Sequence, residues 1–65
     1  MMAEVAELLA RRGTLTRLVN SAESEIRLLA ALPPSQHRER RMAELFRELD
    51  AIAVEAAGIE RRLMV

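Results

Sequence analysis

The chain has no cysteine, tryptophan, tyrosine or lysine, and Phe46 is its single aromatic residue. Without cysteine there is neither a disulfide framework nor a thiolate metal site. Charge of one sign is also lacking. Ten basic and ten acidic residues give a formal net charge of zero, whereas a general nucleic-acid or membrane-surface binder carries an excess of positive charge. No apolar run approaches the roughly 20 residues that span a bilayer. The chain opens with Glu4 and Glu7 and has no basic segment ahead of an apolar run. No signal peptide is therefore expected, and the expected location is cytoplasmic.

Residues arranged for chemistry are equally scarce. His37 is the only histidine, with no second His, Cys or close carboxylate pair at metal-ligand spacing. Ser21, Ser24 and Ser35 lack a glycine-elbow context and a base. Gly13 and Gly58 are too far apart to cradle a phosphate. The expectation is a non-enzyme with no catalytic residue, no metal and no cofactor.

What the chain has in abundance is Ala, Leu, Glu and Arg, the composition of helices and coiled coils. All the basic residues are Arg, as a GC-rich genome would produce. Half the residues are apolar and about a third are charged, which is not a disordered composition. Met1, Val5, Leu8, Arg12, Leu15, Val19, Ala22, Ile26 and Leu29 are spaced alternately by four and three, and all but Arg12 are apolar. Met42, Leu45, Leu49, Ile52, Ala56, Ile59 and Leu63 repeat the pattern. A 3.5-residue period kept through both halves predicts two helices packed side by side along these seams.

Between the halves stands Leu32-Pro33-Pro34-Ser35. Proline disfavours helix in the residue before it and suits the first turn of a new one, and Ser35 is a candidate cap. The spacing predicts an all-α, antiparallel, coiled-coil-like two-helix hairpin. Residues 1–65 form one domain, with helices over about 3–32 and 35–63 and a turn at 33–34. Gly13 costs about 1 kcal/mol in a helix interior, and Thr14 is a candidate cap for a new helix after a break there. The seam keeps phase across Gly13, which favours a continuous first helix.

Charges give an independent check. With Val5 and Met42 as heptad position a, the g positions read Glu4, Arg11, Leu18, Glu25 and then Arg41, Glu48, Glu55, Arg62. Folding at Pro33–Pro34 sets Glu25 against Arg41, Arg11 against Glu55 and Glu4 against Arg62. Such exposed pairs specify register more than they stabilise. Within the helices, Glu7 with Arg11 and Glu23 with Arg27 are expected pairs. Arg12 either snorkels beside Ala56 or fixes register and partner choice.

Two helices share one interface and leave much apolar surface wet, and a chain this small needs a further stabiliser. With no disulfide, that stabiliser is oligomerisation or a partner chain. The g flank is mostly charged and reads as solvated. The opposite flank, positions e and b, carries Met2, Ala6, Leu9 and Gly13 from helix 1 and Phe46, Ala53, Ala57 and Met64 from helix 2. These predict an apolar partner-binding patch toward the open end of the hairpin. The run 51–59, charged only at Glu55, also reads as covered on more than one side. Another protein chain is the expected partner, either a heterologous protein or a second copy, and no membrane is implicated. The basic cluster His37-Arg38-Glu39-Arg40-Arg41 is interrupted by Glu39 and lacks a stacking aromatic, which argues against nucleic acid.

The stretch Gln36-His37-Arg38-Glu39-Arg40-Arg41-Met42-Ala43-Glu44-Leu45-Phe46, followed by the alanine-rich Leu49-to-Ala57 segment, resembles the E component of the type III secretion needle chaperones. In those bacterial proteins a polar helix start likewise leads to an aromatic or aliphatic position and a small, apolar second half. The resemblance implies a cytoplasmic helical hairpin that binds a second, tetratricopeptide-like chaperone and helps keep the needle subunit unassembled. The Pro33–Pro34 turn departs from the glycine-rich turns of those relatives. The two-helix layout is also similar to Rop-like RNA-binding hairpins, which dimerise into four-helix bundles. That class binds RNA through basic and aromatic side chains on helix 1, and helix 1 here has no aromatic.

Overall fold

A computed structural model describes residues 2–64, so the seam assignment of Met1 lies outside the described residues. The chain forms two helices, α1 (Met2–Ala30) and α2 (Gln36–Met64), packed as an all-α hairpin. Its extents are 50 × 15 × 13 Å, one helix layer thick.

The turn is longer than the two prolines alone suggest, because α1 stops at Ala30 and α2 starts at Gln36. Pro33 keeps Leu32 out of helical geometry. The last turn of α1 tightens instead, with the N–H groups of Ala31 and Leu32 donating to the carbonyls of Leu28 and Leu29 at 3.2 and 3.1 Å. Ser35 caps α2. Its Oγ accepts the Arg38 N–H at 3.0 Å, and its carbonyl accepts the Glu39 N–H. Arg38 closes the turn by donating from Nη1 to the Leu32 carbonyl at 2.8 Å. Glu39 in the first turn of α2, and Arg27, Arg61 and Arg62 in last turns, match the helix dipoles.

α1 runs through Gly13 without a break. Thr14 caps nothing, because its hydroxyl donates back to the Ala10 carbonyl at 3.2 Å, as Thr16 does to Arg12 at 3.1 Å.

The four buried side chains, Leu15, Ala22, Leu45 and Ile59, all occupy position d. The a positions Val19, Ile26, Met42, Leu49, Ala56 and Leu63 are only half-buried, as are Leu8, Leu29 and Ile52. Two expected seam residues are exposed: Val5, at 47%, and Arg12. Val5 sits where the seam ends, with little beyond it to cover its side chain. The hairpin exposes 5136 Å², whereas a compact monomer of 7.3 kDa would expose about 4,200 Å².

Candidate partner interface

The two flanks of the seam are built from different side chains. On the g flank, Nε and Nη2 of Arg11 donate to the two carboxylate oxygens of Glu55, at 2.5 and 3.0 Å. Arg41 grips Glu25 in the same bidentate way and also donates to Glu44 at 3.0 Å. Glu48 stands 3.9 Å from Arg41. The hydrogen bonds from Arg41 and Arg11 hold the Glu25 and Glu55 carboxyls below their ordinary range, with charge attraction adding to the effect and desolvation opposing it. Both guanidinium groups are shifted upward, chiefly by the same hydrogen bonds. These long side chains bridge the two helices on the d side of the seam.

Two of the three expected cross-helix pairs are therefore present. The third is not. Glu4 and Arg62 line one open depression with Gly58 and Arg61, but among the described residues they form no ion pair. They lie at the open end, where the seam has run out. The expected pairs Glu7–Arg11 and Glu23–Arg27 are also absent among the described residues. Arg11 is drawn across to Glu55, and Arg27 donates to Ser24 Oγ at 3.3 Å.

The g flank has one apolar interruption that sequence reading missed. Between the two bridges lies a groove of about 410 Å³, floored by Ala22, Leu45 and Ile52 and walled by Leu18 and Ala51. Its signal was Leu18, the one uncharged residue in the g row.

The other flank has a single cross-helix bond among the described residues. Met2, Ala6, Leu9, Phe46, Ala53, Ala57 and Met64 are all exposed, as the spacing predicts. Met2 and Met64 reach 88% and 84% exposure, and Phe46 reaches 51%. The patch is not confined to the open end. Phe46 lies on the turn side of the midpoint between Arg41 and Glu55, and exposed Ala43 and Ala30 continue the strip toward the turn. The flank is not apolar throughout, because Thr16, Asn20, Glu23 and Arg27 on α1 and Asp50 and Glu60 on α2 divide it into shorter apolar stretches.

Arg12 neither rests beside Ala56 alone nor stands free. Its Nη1 reaches across this flank to Glu60 Oε1 at 3.3 Å. The signal for this pair was present, since a of one helix and e of the other share the open flank.

The basic cluster is largely consumed within the chain. Arg38 pairs with Glu39 and the turn carbonyl, and Arg41 with Glu25 and Glu44. No helix of the described residues is long and apolar enough to cross a membrane. Comparison with protein-family models, curated proteins and solved structures yields no match.

Proposed function

We propose that this chain is a non-catalytic protein–protein interaction module, a small cytoplasmic chaperone or adaptor that docks its open e/b flank on another protein chain. The observation that carries this reading is the inequality of the flanks. Two bidentate ion pairs cross the g flank on either side of the Leu18 groove, while the other flank presents Met2, Leu9, Phe46 and Met64 to water beside a half-buried a row. Large apolar side chains exposed along one flank in this way mark a contact site. The finer assignment, a co-chaperone of the type III secretion needle kind, is supported by the resemblance of the Gln36–Phe46 and Leu49–Ala57 stretches. Binding to nucleic acid is disfavoured by the internal pairing of Arg38 and Arg41.

The test is co-purification from the native host with paired variants. Ala57→Glu puts a charge on the open flank and is expected to lose the partner. Glu48→Ala alters the charged flank and is expected to keep it. Equal retention by both variants would show that the interface lies elsewhere.

A further inference from the structure

The g flank repeats one device at heptad spacing and omits it once. The register that sets Arg11 against Glu55 and Glu25 against Arg41 also sets Leu18 level with Glu48. At the two outer levels a guanidinium on one helix donates from Nε and Nη2 to both carboxylate oxygens on the other. At the middle level the carboxylate is present and the cation is missing, because Leu18 stands where it would originate. The one ion pair of Glu48 among the described residues is with Arg41 Nη1 at 3.9 Å. That guanidinium already serves Glu25 and Glu44.

The groove of about 410 Å³ opens at this same level. Away from the ends of the seam at Leu8 and Leu29, Ile52 is the only described d residue that is not buried, and it lines this groove. Leu18 beside it is 45% exposed. Ser21 and Ala51 in the lining are short, so the backbone of a neighbouring chain can come close. The charged side chains in the lining are Glu25 and Glu48 against Arg41, and Glu44 adds a third carboxylate to the one guanidinium. Arg11 is held by Glu55. Arg17 and Arg47 occupy f positions outside the lining, and Arg17 donates to Thr14 Oγ1 at 3.2 Å.

An apolar floor beside a carboxylate without its own cation calls for a side chain with an aliphatic stem and a cationic head. We infer that the groove receives an arginine side chain from another protein chain. The stem lies over Leu18 and Ile52, and the guanidinium meets Glu48 as Arg11 meets Glu55. A lysine ammonium is a point charge and does not match both carboxylate oxygens. A neutral apolar side chain leaves Glu48 without a partner, and an acidic one is repelled by the three carboxylates. The site lies on the flank opposite the e/b surface and does not rest on the reading above. An adaptor of this form holds one chain on each flank. Glu48→Ala then removes the arginine contact and leaves the open-flank partner in place.

The probe is n-propylguanidinium, the arginine side chain without its backbone, titrated into the full chain and followed by amide NMR. The signals of Leu18, Ser21, Ala51 and Ile52 are expected to shift and to saturate with a dissociation constant on the order of millimolar. Glu48→Gln is expected to weaken this binding by about fivefold. The ammonium analogue n-propylammonium and neutral butanol are expected to bind more weakly than the guanidinium. Equal binding of butanol, or indifference to Glu48→Gln, would show that the floor alone takes the probe and would overturn the assignment. Equal binding of n-propylammonium would overturn the choice of arginine. No saturable shift at these residues would overturn the site. A second measurement supplies the missing cation from within. Leu18→Arg is expected to fill the groove, abolish the probe shifts and pair with Glu48. Glu48→Gln should then lower the thermal midpoint more in the Leu18→Arg chain than in the parent. An equal effect in both backgrounds would show that an arginine at this level does not reach Glu48, which would also overturn the proposal.

Discussion

The g flank and the e/b flank border the same seam, yet two bidentate Arg–Glu bridges cross one and a single longer bond crosses the other. Apart from Arg12, both helices place apolar residues at a and d throughout. What differs is the length of the neighbours. Beside the d row, Arg11 with Glu55 and Arg41 with Glu25 bridge the helices, and Leu15, Ala22, Leu45 and Ile59 of that row are buried while Leu8, Leu29 and Ile52 are half-buried. Beside the a row stand Leu9, Thr16, Glu23, Phe46 and Ala53, with Arg12–Glu60 the one cross-helix bond on that side among the described residues, and Leu49, Ile26 and Val19 remain partly wet. In a one-layer hairpin, the flanking side chains decide which apolar row is dry.

The comparison can be broken most forcefully at the seam itself. Leu45→Ala removes a side chain that is 1% exposed and is expected to destabilise the hairpin by about 2–5 kcal/mol. Leu49→Ala, on the half-buried row, should cost clearly less in chemical unfolding at low protein concentration. Equal costs would mean that the two rows are equally buried in solution. Next in size is Phe46→Ala. For a buried Phe this substitution costs about 3–5 kcal/mol, but at half exposure about 1 kcal/mol is expected in the isolated hairpin. Its main effect belongs to association, and a large loss at high dilution would place Phe46 inside the hairpin core.

The charged flank responds to acid. Glu25 and Glu55 have folded-state pKa values below their ordinary ones, so their contribution is complete above the ordinary carboxylate range. It is lost as pH falls through the depressed folded-state values. Thermal unfolding from neutral to acidic pH should show this decline, and the double variant E25Q/E55Q should flatten it. An unchanged slope would show that other carboxylates set the acid sensitivity. The smallest effects are expected at the glycines, one on each side. A Cβ at Gly13 would meet only Arg17 Nη1 at 3.9 Å, and one at Gly58 would meet nothing within 4 Å. Gly13→Ala and Gly58→Ala should each stabilise the hairpin by up to about 1 kcal/mol. A Gly13→Ala variant that unfolds more easily would reveal a contact at Gly13 that the hairpin alone does not make.

Periodicity made the hairpin, its seam and two of its bridges legible, because a heptad fixes which stripe of a helix faces its neighbour. It could not rank the rows within that stripe. Burial of d over a depends on where the Arg11 and Arg41 side chains come to rest, which spacing does not encode. The same freedom misdirected the expected pairs. Arg11 abandoned Glu7 for Glu55, and Arg12 found Glu60 across the open flank. Phe46, Ala53 and Ala57 were legible as flank residues from position alone.

The turn also bears on how the hairpin forms and opens. The Ser35 cap and the Arg38 bond to Leu32 join residues close in sequence, so the closed end can assemble at little loop-closure cost and the seam can zip outward from it. Dissolution runs the other way. Amide hydrogens near Val5 and Leu63 should exchange first, and those flanking Ala22 and Leu45 last.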